Sequence, residues 1–400
     1  MSTNQDKLWT ASFINACIGN FLLFFAFYSL VPVFPIYLIE KYDASKTNVG
    51  LILSSYTLAA LLIRPLAGFV LDLLYRKPLY LGAFFLFVIT FVGYPLANAI
   101  GMFLFVRILH GFSFGFVTTA GNSVIVDIMP ASRRGEGLGY FGIANTMAMS
   151  IGPMMGLYLH DIYNFDVVFY TAIGTGIIGF IFASSIKVEN HSGENKHQPL
   201  AFDRFFLFKG FFAGICLMLM GIPYGMVITY IALYGKEIGI TSSIGAFFTF
   251  MAIGLAMSRI FSGKMVDKGK MRLVISIGTF LAAISYFALS GIKIVENTTA
   301  IFILFYTISF FLGVGYGMLF PAYNALFVNL APNNRRATAS STYMTSWDIG
   351  VGIGLVSGGV LADGFGGLKT SYFVGASAAA LSLLYFIKVA GPHFDKYKLR

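Results

Sequence analysis

Two charged residues, Arg107 and Asp348, stand well inside long apolar runs of this 400-residue chain. A charge at the centre of a bilayer costs about 2.5–3.5 kcal/mol on insertion scales, so each is expected to face a wet cavity or a partner. Asp348 lies roughly eleven residues into its run, about 16 Å deep at 1.5 Å per residue and close to a midplane. An acid desolvated there, between Trp347 and Ile349, is suited to taking up and releasing a proton. The competing assignment is a structural carboxyl bonded to a neighbouring helix. Arg107 could stabilise a carboxylate, bind an anionic group of a substrate, assist proton transfer, or anchor to backbone carbonyls. His110, three residues on and on nearly the same helical face, could shuttle protons or simply pack. The proton-coupling candidates are therefore Asp348, Arg107 and His110.

The elements that must hold these groups follow from composition. Charged residues are 11%, apolar residues 57% and aromatic residues 17%, whereas soluble domains carry roughly 25% charge. Such a chain cannot cover itself with polar surface and must be solvated by lipid. That excludes most soluble enzymes and nucleic-acid binders, and the net charge of +10 is read as a topology signal. Cys17 and Cys216 sit in apolar runs, against a disulfide framework or a cysteine metal site. The N-terminus lacks the order of a cleavable signal, so the first run is expected to be a retained helix. Neither G-x-x-x-x-G-K-[ST] nor H-E-x-x-H occurs, which argues against a nucleotide-driven pump and a metalloenzyme.

Twelve segments are long enough to span a bilayer: 10–39, 46–72, 78–99, 101–128, 136–159 and 165–186, then 205–235, 242–265, 272–292, 299–329, 337–362 and 370–390. The expected organisation is a six-helix bundle over 1–189, a linker over 190–204, and a second bundle over 205–400. Nineteen of the 27 Lys and Arg fall in the termini, the linker and the breaks after even-numbered spans; five fall in the opposite breaks. By the positive-inside rule both termini are expected in the cytoplasm. The halves also repeat. Arg64, Gly68 and Asp72 match Arg259, Gly263 and Asp267 at one offset. Gly111 and Gly115 match Gly313 and Gly317 at a slightly larger one, as do Gly152 and Gly156 with Gly354 and Gly358. Duplication about an axis along the membrane normal is a transporter signature. Asp348 has Thr146 as its counterpart and Arg107 has Ser309, so neither charge is a relic of duplication.

On these residues the chain resembles the major facilitator superfamily over essentially its whole length. The segment Gly68 to Lys77, G-F-V-L-D-L-L-Y-R-K, resembles the signature G-x-x-x-D-[RK]-x-G-[RK]-[RK] and departs from it at Leu73 and Tyr75. The second copy, Gly263 to Lys270, keeps the basic Lys268 but not the glycine position. Arg107, Gly111 and Gly115 resemble R-x-x-x-G-x-x-x-G. Gly152, Pro153 and Gly156 are similar to the G-P-x-x-G element of drug–proton antiporters. The resemblance implies an all-α integral membrane protein with twelve transmembrane helices in two pseudo-symmetric six-helix bundles. It also implies a cytoplasmic gate in which Asp72 accepts from the open N-terminus of the eleventh span, braced by Arg76 and Asp127, with Asp267 in the second copy. The alternative is that these charges only fix topology.

The resemblance places spans one, four, seven and ten around a central cavity. They offer Asn20, Phe24 and Tyr28, then Arg107 and Asn122, then Tyr224 and Met226, then Tyr306, Tyr316 and Asn324. Such a wall suits amphipathic, variable ligands better than a sugar. The expected function is a proton-coupled exporter of amphipathic small molecules working by alternating access; the alternative is a proton-coupled importer of a nutrient or metabolite. The proton gradient supplies the energy, and no cofactor or nucleic acid is expected. The partners are a small-molecule substrate and the lipid bilayer, and the protein is expected to be a monomer in the cell (inner) membrane.

Overall fold

A computed structural model describes residues 7–130, 133–188, 206–240, 243–294, 297–332 and 336–399. The expected linker and, within helices, the side chains of Asp72 and Asp267 lie outside the described residues. In the first half the helices are α1 (Ala11–Leu30), α2 (Val33–Tyr42), α3 (Lys46–Leu73), α4 (Arg76–Leu96), α5 (Ile100–Ile128), α6 (Arg134–Ile162) and α7 (Phe165–Ser184). The second half has α8 (Phe211–Glu237), α9 (Ala246–Asp267), α10 (Met271–Gly291), α11 (Thr298–Leu330), α12 (Arg336–Gly364), α13 (Leu368–Tyr385) and the short α14 (Gly391–Tyr397). No strand occurs among the described residues.

Among the described residues, eleven helices are long and apolar enough to cross a membrane. Where twelve spans are expected, α6 is the exception: it has 29 residues, but glycines, Asn145, Thr146 and Ser150 dilute its apolar run. The expected first span is also broken in two. Pro32 supplies no N–H to continue α1, and the chain turns at Val31–Pro32 before α2 resumes. Side chains cap the helix starts: Thr10 Oγ1 accepts from Phe13 N at 3.2 Å, Asn164 Oδ1 from Val167 N at 3.1 Å, and Asn297 Oδ1 from Ala300 N at 3.0 Å.

The chain divides into two compact units, residues 1–33 with 55–198 and residues 34–54 with 199–400. The second unit thus includes α2 and the first turns of α3, which the sequence organisation assigns to the first bundle. In unit 1, α1 packs on α6 and α7, and α4 packs on α5 and α7. In unit 2, α8 packs on α12 and α13, α9 on α11, and α10 on α11 and α13.

The repeated glycines make these contacts possible. A Cβ on Gly115 of α5 would stand 2.7 Å from Ala60 O of α3, and one on Gly317 of α11 would stand 2.5 Å from Leu255 O of α9. Gly111 meets Tyr56 O, and Gly313 meets Met251 O, in the same way. The second glycine pair repeats the pattern: Gly156 of α6 lies against Ser29 O of α1, and Gly354 of α12 against Ile222 O of α8. Lipid tails are as apolar as leucine, so close backbone packing and hydrogen bonds between helices replace the hydrophobic drive available in water. Hydroxyls of α13 add such bonds, Ser382 Oγ donating to Cys216 O and Ser371 Oγ to Gly358 O, each at 2.8 Å.

Gly313→Ala is therefore expected to lower the apparent melting temperature of the purified protein in detergent, overpacking costing about 1–3 kcal/mol. Gly142→Ala, on the same scale, should be neutral or stabilising. No atom lies within 4 Å of a Cβ there, and glycine within a helix costs about 0.5–1 kcal/mol relative to alanine.

Candidate functional site

In unit 1, α5 carries Arg107, 3% exposed, and His110, fully buried one turn on. Arg107 Cζ lies 4.4 Å from the ring centroid of Tyr56 and 5.8 Å from that of Phe27. A desolvated cation over such faces gains about 2 kcal/mol. Tyr94, at the end of α4, joins the two side chains: its hydroxyl is 2.6 Å from His110 Nδ1 and 3.5 Å from Arg107 Nη1. A guanidinium only donates, so Tyr94 accepts from Arg107, while the imidazole tautomer sets which partner donates in the Tyr94–His110 contact. The other ring nitrogen, Nε2, has no hydrogen-bond partner among the described residues. The rings of Phe27, Tyr56, Phe87 and Phe91 close around this imidazole. His110 is thus wired to Arg107 through a tyrosine inside an aromatic box.

Tyr94 and Tyr56 are absent from the sequence candidates. Tyr94 was within reach of sequence reasoning, because the break between the third and fourth spans is too short to separate their ends. Elsewhere in unit 1, Asn20 Nδ2 donates to Asn145 Oδ1 of α6 at 3.0 Å, a partner the sequence did not suggest. Phe24 packs on Phe114 and on Tyr28, both rings half-buried along α1. Asn122 is exposed. Of the expected gate residues, Arg76 Nη1 and Asp127 Oδ1 form an ion pair at 2.7 Å. Asp72 and Asp267 have side chains outside the described residues.

In unit 2, Asp348 is half-buried on α12. Tyr343, about one turn earlier, lies within electrostatic reach of both Asp348 and Arg259 of α9. Trp347, next to the acid, belongs to an aromatic wall: its ring lies 4.9 Å from Tyr224 and 4.9 Å from Phe320, with Tyr316 at 5.9 Å. Tyr316 donates to Met220 O at 3.1 Å and shares a 2.9 Å contact with the Tyr286 hydroxyl. Three further candidates lie apart from this wall. Met226 is fully buried and packs where α8 meets Gly358 of α12 and Gly375 of α13. Tyr306 donates to Ser243 O at 3.1 Å near the start of α11, and Asn324 is exposed. Among the described residues no group of His, Cys, Asp and Glu could hold a metal ion.

The Tyr94 bridge makes a direct prediction. Tyr94→Phe strands a buried imidazole nitrogen, which should cost about 1–3 kcal/mol of stability. The apparent melting temperature in detergent should fall accordingly, whereas an unchanged value would mean that the hydroxyl joins nothing.

Comparison with known proteins gives this arrangement its place. The Major Facilitator Superfamily pattern matches residues 16–355 and, in a second alignment, 215–397. The multidrug resistance efflux pump PmrA of Streptococcus pneumoniae is 25% identical, the alignment covering 94% of this chain and 95% of that protein. The staphylopine export protein of Staphylococcus aureus is 22% identical over 93% and 94%. Among solved structures, the peptide transporter POT in complex with alafosfalin superposes with a TM-score of 0.79 at 13% identity, covering 97% of this chain and 96% of that one. With its all-helical architecture, its membrane-crossing helices and its duplicated glycine rows, the chain belongs to the Major Facilitator Superfamily, as a multi-pass membrane transporter and not an enzyme.

Proposed function

We propose that the protein exports amphipathic small molecules in exchange for protons, with Asp348 as the coupling acid. The observation that carries this reading is the position of Asp348, half-buried and adjacent in sequence to Trp347, around which Tyr224, Phe320 and Tyr316 gather. Flat aromatic faces take the apolar part of a ligand without demanding one shape. A carboxyl beside them is either protonated or, as the anion, stabilised by hydrogen-bond donors of the ligand while its proton leaves to water. Exchange of one for the other ties the two fluxes together. Moving one charge through 100 mV supplies about 2.3 kcal/mol, enough to concentrate a neutral compound more than tenfold. The kinship with a drug efflux pump and a staphylopine exporter supports export over import.

Arg107 and His110 are assigned to the same coupling system from the other unit, as a fixed positive charge and its support through Tyr94. The Arg76–Asp127 pair is assigned to the cytoplasmic gate, together with Asp72 and Asp267. Both termini are placed in the cytoplasm by the bias of basic residues, in a monomer resident in the cell membrane with no cofactor beyond the proton gradient.

Everted vesicles acidified by respiration, with a dye reporting the gradient, test the reading against a panel of amphipathic compounds. Compound addition should dissipate the gradient with wild-type protein and not with Asp348→Asn. Dissipation by both would move coupling to another acid. No response from either would favour a dedicated importer of a metabolite. Counterflow exchange of the same compound, which needs no net proton movement, should survive in Asp348→Asn.

A further inference from the structure

Unit 2 holds a second cluster of polar contacts at the end opposite its C-terminal helix α14, where α8 and α12 finish and α3 begins. We infer that Asp363 latches the first turn of α3 to the end of α12, and that this joint must part whenever α3 swings away to open the transport path on that face. The inference rests on membership of a transporter superfamily, and on neither the direction of transport nor the identity of the coupling acid.

The contacts are specific. Asp363 Oδ2 accepts from Thr47 N at 2.6 Å, and Oδ1 from Lys46 N at 3.3 Å. The first amides of a helix have no partner within it, and a carboxylate there also complements the positive end of the helix dipole. Ser45, the local cap, takes Asn48 N on its Oγ at 3.2 Å. Asp363 thus fills the two amide positions that the local cap leaves open. Tyr230 of α8 reinforces the joint from below, its buried hydroxyl shared between Leu355 O of α12 at 2.8 Å and Lys46 O of α3 at 3.3 Å. Gly50 and Gly359 let the two backbones touch: a Cβ on Gly50 would meet Leu355 O, and one on Gly359 would meet Lys46 O.

The joint is also built to separate. The ion pair that engages α3, Lys46–Glu237 at 2.6 Å, is partly exposed, as are its neighbours Lys236–Glu40 at 3.7 Å and Lys293–Glu237 at 3.8 Å. Such pairs hold weakly and are readily replaced by water. The helix that the latch grips belongs to unit 2 only as far as Ser54 and to unit 1 from Ser55 onward. A grip on its first turn therefore bears on a helix shared between the units. Asp363 at the end of α12 also mirrors the role the sequence suggests for Asp72 at the end of α3, so each of these helices would carry a terminal acid addressed to a helix start.

The test uses purified full-length protein in detergent with Cys17→Ser and Cys216→Ala, and single reporter cysteines labelled by a maleimide. Val49→Cys reports on the latch, because Val49 is fully buried in the first turn of α3. Val274→Cys, also at a fully buried site but on α10, reports on the rest of the unit. Asp363→Ala should speed labelling of Val49→Cys by roughly 2- to 30-fold, the range expected for loss of a helix cap, and leave Val274→Cys unchanged. Asp363→Asn, which keeps an acceptor but loses the charge, should fall between. Unchanged labelling at Val49→Cys would overturn the latch. Equal acceleration at both reporters would overturn it too, because the acid would then be holding the whole bundle together and not one joint.

Discussion

One constraint organises this protein: within lipid, a backbone N–H or C=O has no water to turn to and must be satisfied inside the fold. Backbone groups meet it by forming helices. Many Ser and Thr side chains meet it within their own helix, as Thr118 does by donating to the Phe114 carbonyl, and others pair across helices, as Asn20 does with Asn145 and Ser382 with the Cys216 carbonyl. Arg107 meets it differently, with its charge spread over the faces of Tyr56 and Phe27 and its N–H directed to Tyr94. Such a charge is expensive to keep, which is why it reads as functional.

The same constraint explains how the helices hold one another. With no water to expel between them, they gain stability from close approach, and the glycine rows provide it in matched places of both halves. Gly111 and Gly115 let α5 lie on α3; Gly313 and Gly317 let α11 lie on α9. A structure packed through smooth backbone surfaces can shift its helices without unthreading interlocked side chains, and that suits a transporter. Polar joints such as the one at Asp363 can then set which positions are held, at modest cost to break.

Much of this was legible in the sequence, for physical reasons that can be named. Long apolar runs have no other use than lipid, so the helices appear in the residue string almost as they do in the fold. The glycine repeat was legible because duplication leaves spacing behind even where side chains diverge. What the sequence concealed involved residues distant in the chain or a single local break. Pro32 splits one apolar run whose hydropathy is continuous. Residues 34–54 pack with the second unit, which no composition signal could announce. Met226 and Tyr224 lie two residues apart on α8, yet one packs between helices and the other joins the aromatic wall, because a helix turns about 100° per residue. Asp363 and Lys46 are too far apart in sequence for any motif to connect them.

The central claim is that a ligand and a proton exchange at Asp348. The most direct measurement is proton release from the purified protein in weakly buffered detergent, on addition of whichever compound most strongly collapses the vesicle gradient. The account predicts release of about one proton per protein molecule at pH values where the acid is protonated before binding, and none from Asp348→Asn. Equal release from wild type and Asp348→Asn, or binding with no release from the wild type across the pH range, would contradict it.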